Sequence, residues 1–194
     1  MRHSYIFLAN GFEEIEALSV IDILRRAGMS ISSVSINDTP AVTGAHGVTV
    51  AADCLYTEVR DFNDAPWLII PGGMPGATNL ANCAPLCELL KAHAADGGNI
   101  AAICAAPAVV LAPLGILKGR EATCYPGFEA ECKKCGAKMH DAPVIVDRNI
   151  VTGNGPASAM RFALTIVQQA LGDAKAQEVG SGLLYYPKQM NFYF

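Results

Sequence analysis

The chain has 194 residues, a formal charge of -4, 52% hydrophobic against 16% charged residues, and 18 glycines. That length suits a single domain over 1–194 that buries its own core without disulfides or metals, and the apolar balance excludes a disordered or fibrous chain. No concentrated Lys/Arg stripe of the kind that phosphate backbones require is present, so nucleic acid is not expected as an obligate partner.

Ser4 to Asn10 reads as a first strand. Its apolar run is too short for a signal-peptide core or a membrane span, which predicts a cytoplasmic protein with no membrane association. Glu13 to Ala27 is predicted as a helix, with Ile15, Leu18, Ile21 and Leu24 at helical spacing, acids in the first turn and Gly28 as C-cap. Met29 to Ile36 returns as a strand through a right-handed crossover. Ala41 to Ala51 reads as a hairpin around Gly44 to Gly47, and Asp53 to Asp64 as a polar connection. Trp67 to Ile70 is a buried strand that runs into Pro71 to Gly76, where glycines permit close backbone approach. A helix over Ala84 to Ala95, a strand over Asn99 to Ile103 and a helix over Ala105 to Leu114 follow. Glu121 to Cys124 is predicted as a short strand and Ala130 to Lys134 as a helical turn. Val144 to Asp147 and Ile150 to Thr152 form a hairpin about Arg148-Asn149. Helices over Ala157 to Leu171 and Ala174 to Val179 precede an aromatic tail from Tyr185 to Phe194. The alternation implies an α/β fold: an open, mostly parallel sheet with helices on both faces. Ligands collect at the carboxyl ends of such strands, where the Asn10 to Glu16 turn, the Gly72-Gly73 loop and the Cys104 corner converge.

Cys104 stands where a strand becomes a helix with no loop residues between. Such a corner lifts the side chain above the strand ends, over free N–H groups whose partial positive charge is expected to favour thiolate over thiol. The ordinary explanation is a small buried hydrophobe, because Cys is among the most buried residue types. Of Glu13, Glu14 and Glu16, acids at a helix start usually face solvent and complement the dipole. Glu16, however, lies between Ile15 and Ala17 and one turn before Val20, on an apolar face where a carboxylate is costly unless protonated or paired. Beside Cys104, a protonated acid would donate to the thiolate and pass a proton to or from substrate. The odd count of seven cysteines fits free thiols in a reducing compartment. Cys132 and Cys135 have redox or zinc spacing, but no second Cys/His pair follows and no thioredoxin-like unit opens there, so the pair is read as structural. Cys83 and Cys87 share a helix face, and His3, His93 and His140 are scattered. Gly72 to Gly76 has no Lys-Ser/Thr pair, which excludes a nucleotide P-loop.

Five segments in order, Gly11 to Glu16 (GFEEIE), Arg25 to Gly28 (RRAG), Pro71-Gly72-Gly73, Ala101 to Pro107 (AAICAAP) and Gly155-Pro156, resemble the ThiJ/PfpI family in its DJ-one-like branch. The resemblance runs over nearly the full chain. It implies a flavodoxin-like three-layer sandwich that pairs into a homodimer, with a nucleophile elbow. Residue by residue, it implies that Cys104 is the easily oxidised cysteine and Glu16 its protonated partner. The backbone N–H groups of Gly73 and Ala105, with Gly72 beside them, would form an oxyanion-type pocket. Arg26 and His46 would lie near that pocket at the dimer interface, and Pro156 would close it from the partner chain. Three departures matter. Ala105 stands where related branches carry His, which argues against a Cys-His peptidase. Tyr125 stands where close relatives often carry His, and Tyr donates well but is a poor base. His46 replaces an interface arginine, making anion binding pH dependent. The activity implied is a glyoxalase or deglycase acting on small reactive dicarbonyls of the methylglyoxal class or their adducts, with no organic cofactor and no metal. The alternative is a redox sensor or chaperone in which Cys104 is oxidised to sulfinate without turnover. A thiamine-biosynthesis role, attached to some relatives, finds no phosphate-binding signature here.

Overall fold

Strands β1 (Ser4–Leu8), β2 (Ile31–Ser35), β6 (Trp67–Ile70) and β7 (Asn99–Ile103) form the parallel centre of a sheet, each within the span its apolar run predicts. A computed structural model gives this architecture and describes residues 2–62 and 64–185. The chain order is β1, α1 (Glu14–Arg26), β2, a hairpin of β3 (Ala41–Thr43) and β4 (Thr49–Ala51), β5 (Cys54–Leu55), β6, α2 (Gly76–Ala81), α3 (Ala84–Ala95) and β7. Then come β8 (Glu121–Ala122), α4 (Glu129–Lys134), β9 (Lys138–Met139), β10 (Val144–Asp147), β11 (Ile150–Gly153), α5 (Ala159–Leu171) and α6 (Asp173–Gly182). Seven strands make the main sheet in the order β10-β11-β7-β6-β1-β2-β5, and only the β10–β11 pair is antiparallel.

Strand side chains alternate between two cores, and that alternation makes the molecule three-layered. Ile6, Leu8, Trp67, Ile69, Ala101 and Ile103 face a cluster completed by α1 and α5. Phe7, Leu68, Ile70, Ile100 and Ala102 face the opposite cluster, completed by Leu80, Leu86 and Leu90 of α2 and α3. Burying each such large apolar side chain contributes roughly 1.5–3 kcal/mol, before the cost of ordering the chain. Strand order reverses between β1 and β6, with β7 alongside, so the turns leaving these three strands border one crevice.

Several expectations need correction. The run from Ala105 is no regular helix: Pro107–Leu111 forms a π-turn in which Ala112 N–H donates to the Pro107 carbonyl at 2.9 Å. Pro113 explains this, because it lacks an N–H and its ring would strike the Val109 carbonyl of an α-helix. The short strand at Glu121 ends at Ala122 and pairs with β9, outside the main sheet. The polar connection holds an edge strand, β5, and the Gly-rich loop runs into α2; neither was expected from pattern alone. On α1, Ile15 and Leu18 point outward, 57% and 41% exposed, while Ala17, Val20 and Leu24 pack inward. Apart from Tyr185, the aromatic tail lies outside the described residues. Among the described residues no helix is long and apolar enough to cross a membrane, and all seven cysteines are free thiols.

Candidate active site

The three acids that open α1 each serve a different purpose, and none faces solvent as acids at a helix start ordinarily do. Glu13 is the N-cap: its Oε2 accepts from the Glu16 backbone N–H at 2.8 Å, satisfying one of the helix's orphan donors. Its own N–H donates to the Gly72 carbonyl at 3.0 Å, joining helix one to the glycine loop. Glu14 ties down the hairpin, accepting from the His46 backbone N–H at 2.7 Å and pairing with the His46 ring at 2.8 Å. Burial pushes the Glu14 carboxyl up, but the bonds from His46 and Val48 outweigh it and hold the group below its ordinary range; the same contact raises His46. Glu13, Glu14 and His46 bring ligand atoms within 4.8 Å of one another. Their capping and hairpin contacts account for that cluster.

Glu16 is wholly buried and turns toward the elbow. Its Oε2 accepts from the Gly72 N–H at 2.7 Å. Oε1 has no hydrogen-bond partner among the described residues, and the carboxyl lies against the Cys104 thiol. Desolvation lifts its pKa to about 7, opposed by the Gly72 bond and assisted by Glu13. With its pKa near neutrality the carboxyl is available in both forms: ionised, it is favoured by the Cys104 thiol beside it; protonated, it relieves the cost of a buried charge.

Cys104 occupies the corner after β7 with φ of 65°, a left-handed conformation that a non-glycine residue adopts at a cost of roughly 1–3 kcal/mol. Two backbone bonds hold it there: its N–H donates to Gly153 at 2.9 Å, and its carbonyl accepts from Tyr125 N–H at 2.8 Å. The N–H groups of Gly73 and Ala105 both act on the sulfur and favour its charged form. The expectation of a depressed thiol pKa is not met. Burial, followed by the charge of an ionised Glu16, pushes it up to about 12, because two amides do not replace the water lost by a residue 8% exposed.

Gly72 is required by space. A Cβ there would lie 2.5 Å from Cys104 Cβ, 2.8 Å from Glu16 Oε2 and 3.0 Å from the sulfur. Gly73 has φ of +89° and no room for a side chain against the Gly11 to Glu13 backbone. Tyr125 is 44% exposed, its ring edge-on to Phe128 with centroids 6.4 Å apart. Pro156 starts a short 3-10 turn directly after Gly155, whose Cβ position lies 3.2 Å from the Tyr125 ring. Arg26 is not drawn to the sulfur: at the far end of α1, half exposed, its Nε donates to Asp22 at 2.6 Å. Cys104, Glu16, Gly72, Gly73 and Ala105 therefore converge within one chain, with Tyr125 braced to them through the backbone and His46 joined through Glu14. Sequence reasoning missed the separate duties of Glu13 and Glu14. The three-residue spacing from Glu13 to Glu16, that of an N-cap and its N3 partner, was the available signal for the first.

The family model of the DJ-1/PfpI family matches residues 2–169. The Arabidopsis thaliana Protein DJ-1 homolog B is 38% identical over 93% of this chain, which spans only 41% of that relative's length. A Caenorhabditis elegans relative, named Glutathione-independent glyoxalase DJR-1.2, is 35% identical over 86% of this chain and 87% of its own. The structure of oxidized Toxoplasma gondii DJ-1 superposes with a TM-score of 0.87 at 39% identity, covering 95% of this chain and 99% of that one. A family match over residues 2–169, together with a relative 35% identical over most of both chains, shows that the chain belongs to the DJ-1/PfpI family.

Proposed function

We propose that this protein is a cofactor- and metal-independent glyoxalase-type enzyme acting on small dicarbonyls of the methylglyoxal class, with deglycase action on their adducts by the same thiol chemistry. The observation that carries the reading is Glu16: a buried carboxyl with one uncommitted oxygen, set against the sulfur of a strained elbow. Ionised Glu16 takes the thiol proton as Cys104 sulfur adds to the aldehyde carbon and hands it to the carbonyl oxygen, whose developing charge is stabilised through the Gly73 and Ala105 N–H groups, leaving a hemithioacetal and an ionised Glu16. Glu16 then takes the proton from the former aldehyde carbon and returns it to the adjacent carbon, while the hydroxyl proton passes to the neighbouring ketone oxygen through the enediol, isomerising the adduct to a 2-hydroxy thioester with no net redox change. Water cleaves the thioester, releasing a hydroxy acid such as lactate and restoring the thiol. Tyr125 is the donor that orients substrate rather than a base. The name of the Caenorhabditis elegans relative supports the reading.

The protein works as a homodimer in the cytoplasm under this reading. Outward-facing Ile15 and Leu18 on α1 support a seam along that helix, with Arg26 and His46 near the pocket at the interface and Pro156 closing it from the partner chain. Lactate formation from methylglyoxal tests the chemistry. Cys104→Ser should abolish it and Glu16→Gln reduce it about 100-fold or more; equal consumption by the parent and Cys104→Ser overturns the proposal. A second reading, oxidation of Cys104 to a sulfinate as a redox signal, is favoured by the same uncommitted Glu16 oxygen, which when protonated donates to a sulfinate oxygen. Intact mass after mild peroxide distinguishes it: gain of two oxygens at Cys104 in a protein that shows no turnover beforehand.

A further inference from the structure

No stripe of basic residues stands out along the sequence, yet the fold brings four of them from three segments to one place. Lys91 of α3, Lys118 and Arg120 of the loop before β8, and Arg148 of the β10–β11 turn line a cavity of 380 Å³ together with Ala94 and Ala95. No acidic and no aromatic side chain lines it. The β10–β11 turn leads into Ile150, which pairs with Ile100 near the start of β7, whereas Cys104 follows the end of β7. The cavity therefore lies at the opposite end of the sheet from the elbow. Arg120 is its fixed member: the side chain is 17% exposed, and Nη1 donates to the Asp147 carbonyl at 3.2 Å. Arg148 has φ of 57°, a left-handed conformation that Gly or Asn adopts at less cost, and its Nε donates to Asp147 Oδ1 at 2.9 Å. Lys91 pairs with Glu88 at the surface at 3.0 Å, and Lys118 has no acidic partner among the described residues.

We propose that this cavity is a second binding site, which takes a compact anion through a diphosphate group. Four cations answered by two carboxylates, Glu88 and Asp147, leave two positive charges in one spot of a chain whose formal charge is -4. Like charges gathered in this way repel one another, and a bound anion relieves the repulsion. Asp147 engages only Nη1 of Arg120 and Nε of Arg148. The remaining guanidinium N–H groups make no hydrogen bond among the described residues, and each is a donor suited to phosphate oxygens. A diphosphate offers oxygens at two phosphorus centres and reaches both arginines and Lys118 together, whereas a sulfate spans fewer of them. With no aromatic wall, no nucleobase is stacked, so recognition stops at the phosphates. One cavity is also not the extended basic surface that a nucleic-acid backbone requires.

Isothermal titration calorimetry of the full-length chain at constant ionic strength tests the site, with inorganic diphosphate as the probe and sulfate, ADP and a single-stranded oligonucleotide as comparisons. Diphosphate should bind saturably, one per chain, and about tenfold or more tightly than sulfate. Lys118→Gln and Arg148→Gln should each weaken it about tenfold, and Cys104→Ser should leave it unchanged. Lys118 and Arg148 are both exposed, so neither substitution removes a core contact. ADP should bind no more tightly than diphosphate. The proposal is overturned if diphosphate does not saturate, if sulfate binds as well, or if both variants bind like the parent. Tighter binding of ADP or of the oligonucleotide than of diphosphate overturns it too. The outcome is separable from the glyoxalase reading, because the titration reads binding alone and is repeated without the elbow thiol.

Discussion

Replacing Glu16 by Gln keeps the side chain's shape and an oxygen for the Gly72 N–H, and removes the proton that makes folding pH dependent at this position. The Glu16 pKa is about 7 in the folded chain against 4.5 for the ordinary carboxyl. An acid with a raised pKa holds its proton more tightly when folded, so its stabilising contribution is complete below about pH 4.5 and is lost as pH rises to about 7. A difference of about 2.5 units corresponds to roughly 3 kcal/mol over that window. Urea unfolding of parent and Glu16→Gln between about pH 4 and pH 8 measures it. Other ionisable pairs, such as Glu14 with His46, are common to both proteins and drop out of the difference. The parent's stability should fall by roughly 3 kcal/mol more than the variant's across the range. If the two profiles run parallel to within about 0.5 kcal/mol, Glu16 is not a desolvated acid, and the proton assigned to it has no physical basis.

Gly72→Ala places a methyl group 2.5 Å from Cys104 Cβ and 2.8 Å from Glu16 Oε2. It should cost about 1–3 kcal/mol in urea unfolding and eliminate methylglyoxal turnover, whereas unchanged turnover would mean that the glycine loop is not part of the pocket. The Glu14–His46 pair joins the hairpin to α1 between two limits: it weakens as pH falls through the lowered Glu14 pKa, and again as pH rises through the raised His46 pKa. A proton NMR titration should find the His46 pKa above 6.5 in the parent and returned toward it in Glu14→Gln.

How much of this was legible in the sequence depends on which force sets each feature. The strands Ser4–Leu8, Trp67–Ile70 and Asn99–Ile103 are apolar on consecutive positions because both faces of the sheet are covered, and runs of that kind announce themselves. Glu16 was legible for the converse reason, as a charge on an apolar stripe. The edge strand Cys54–Leu55 was not, since two residues carry no period, and its register comes from pairing with Val34 and Ser35. The π-turn after the elbow arises from where prolines meet helix carbonyls, which an apolar count does not register. The direction of the Cys104 pKa was missed because the corner displays two competing influences. The amides are visible in the strand-to-helix pattern, whereas the desolvation that outweighs them depends on how α1 and the glycine loop close over the sulfur.

A thiol held up to about 12 looks at first like a poor nucleophile. Part of what holds it up, however, is the charge of the ionised carboxyl beside it, second only to burial. When the proton leaves sulfur for Glu16, that repulsion disappears in the same event, and the neutral acid turns from an opponent of the thiolate into a hydrogen-bond donor to it. The Gly73 and Ala105 amides act throughout and do not reorganise. Under the proposed chemistry, burial therefore does not defeat the elbow cysteine, because the thiolate is reached by way of Glu16. Solvent has little access to a cysteine that is only 8% exposed. A fully exposed cysteine would be ionised more easily but open to every electrophile in solution, whereas under the proposed chemistry this one would be activated where a carbonyl is already seated to receive the sulfur as the proton crosses.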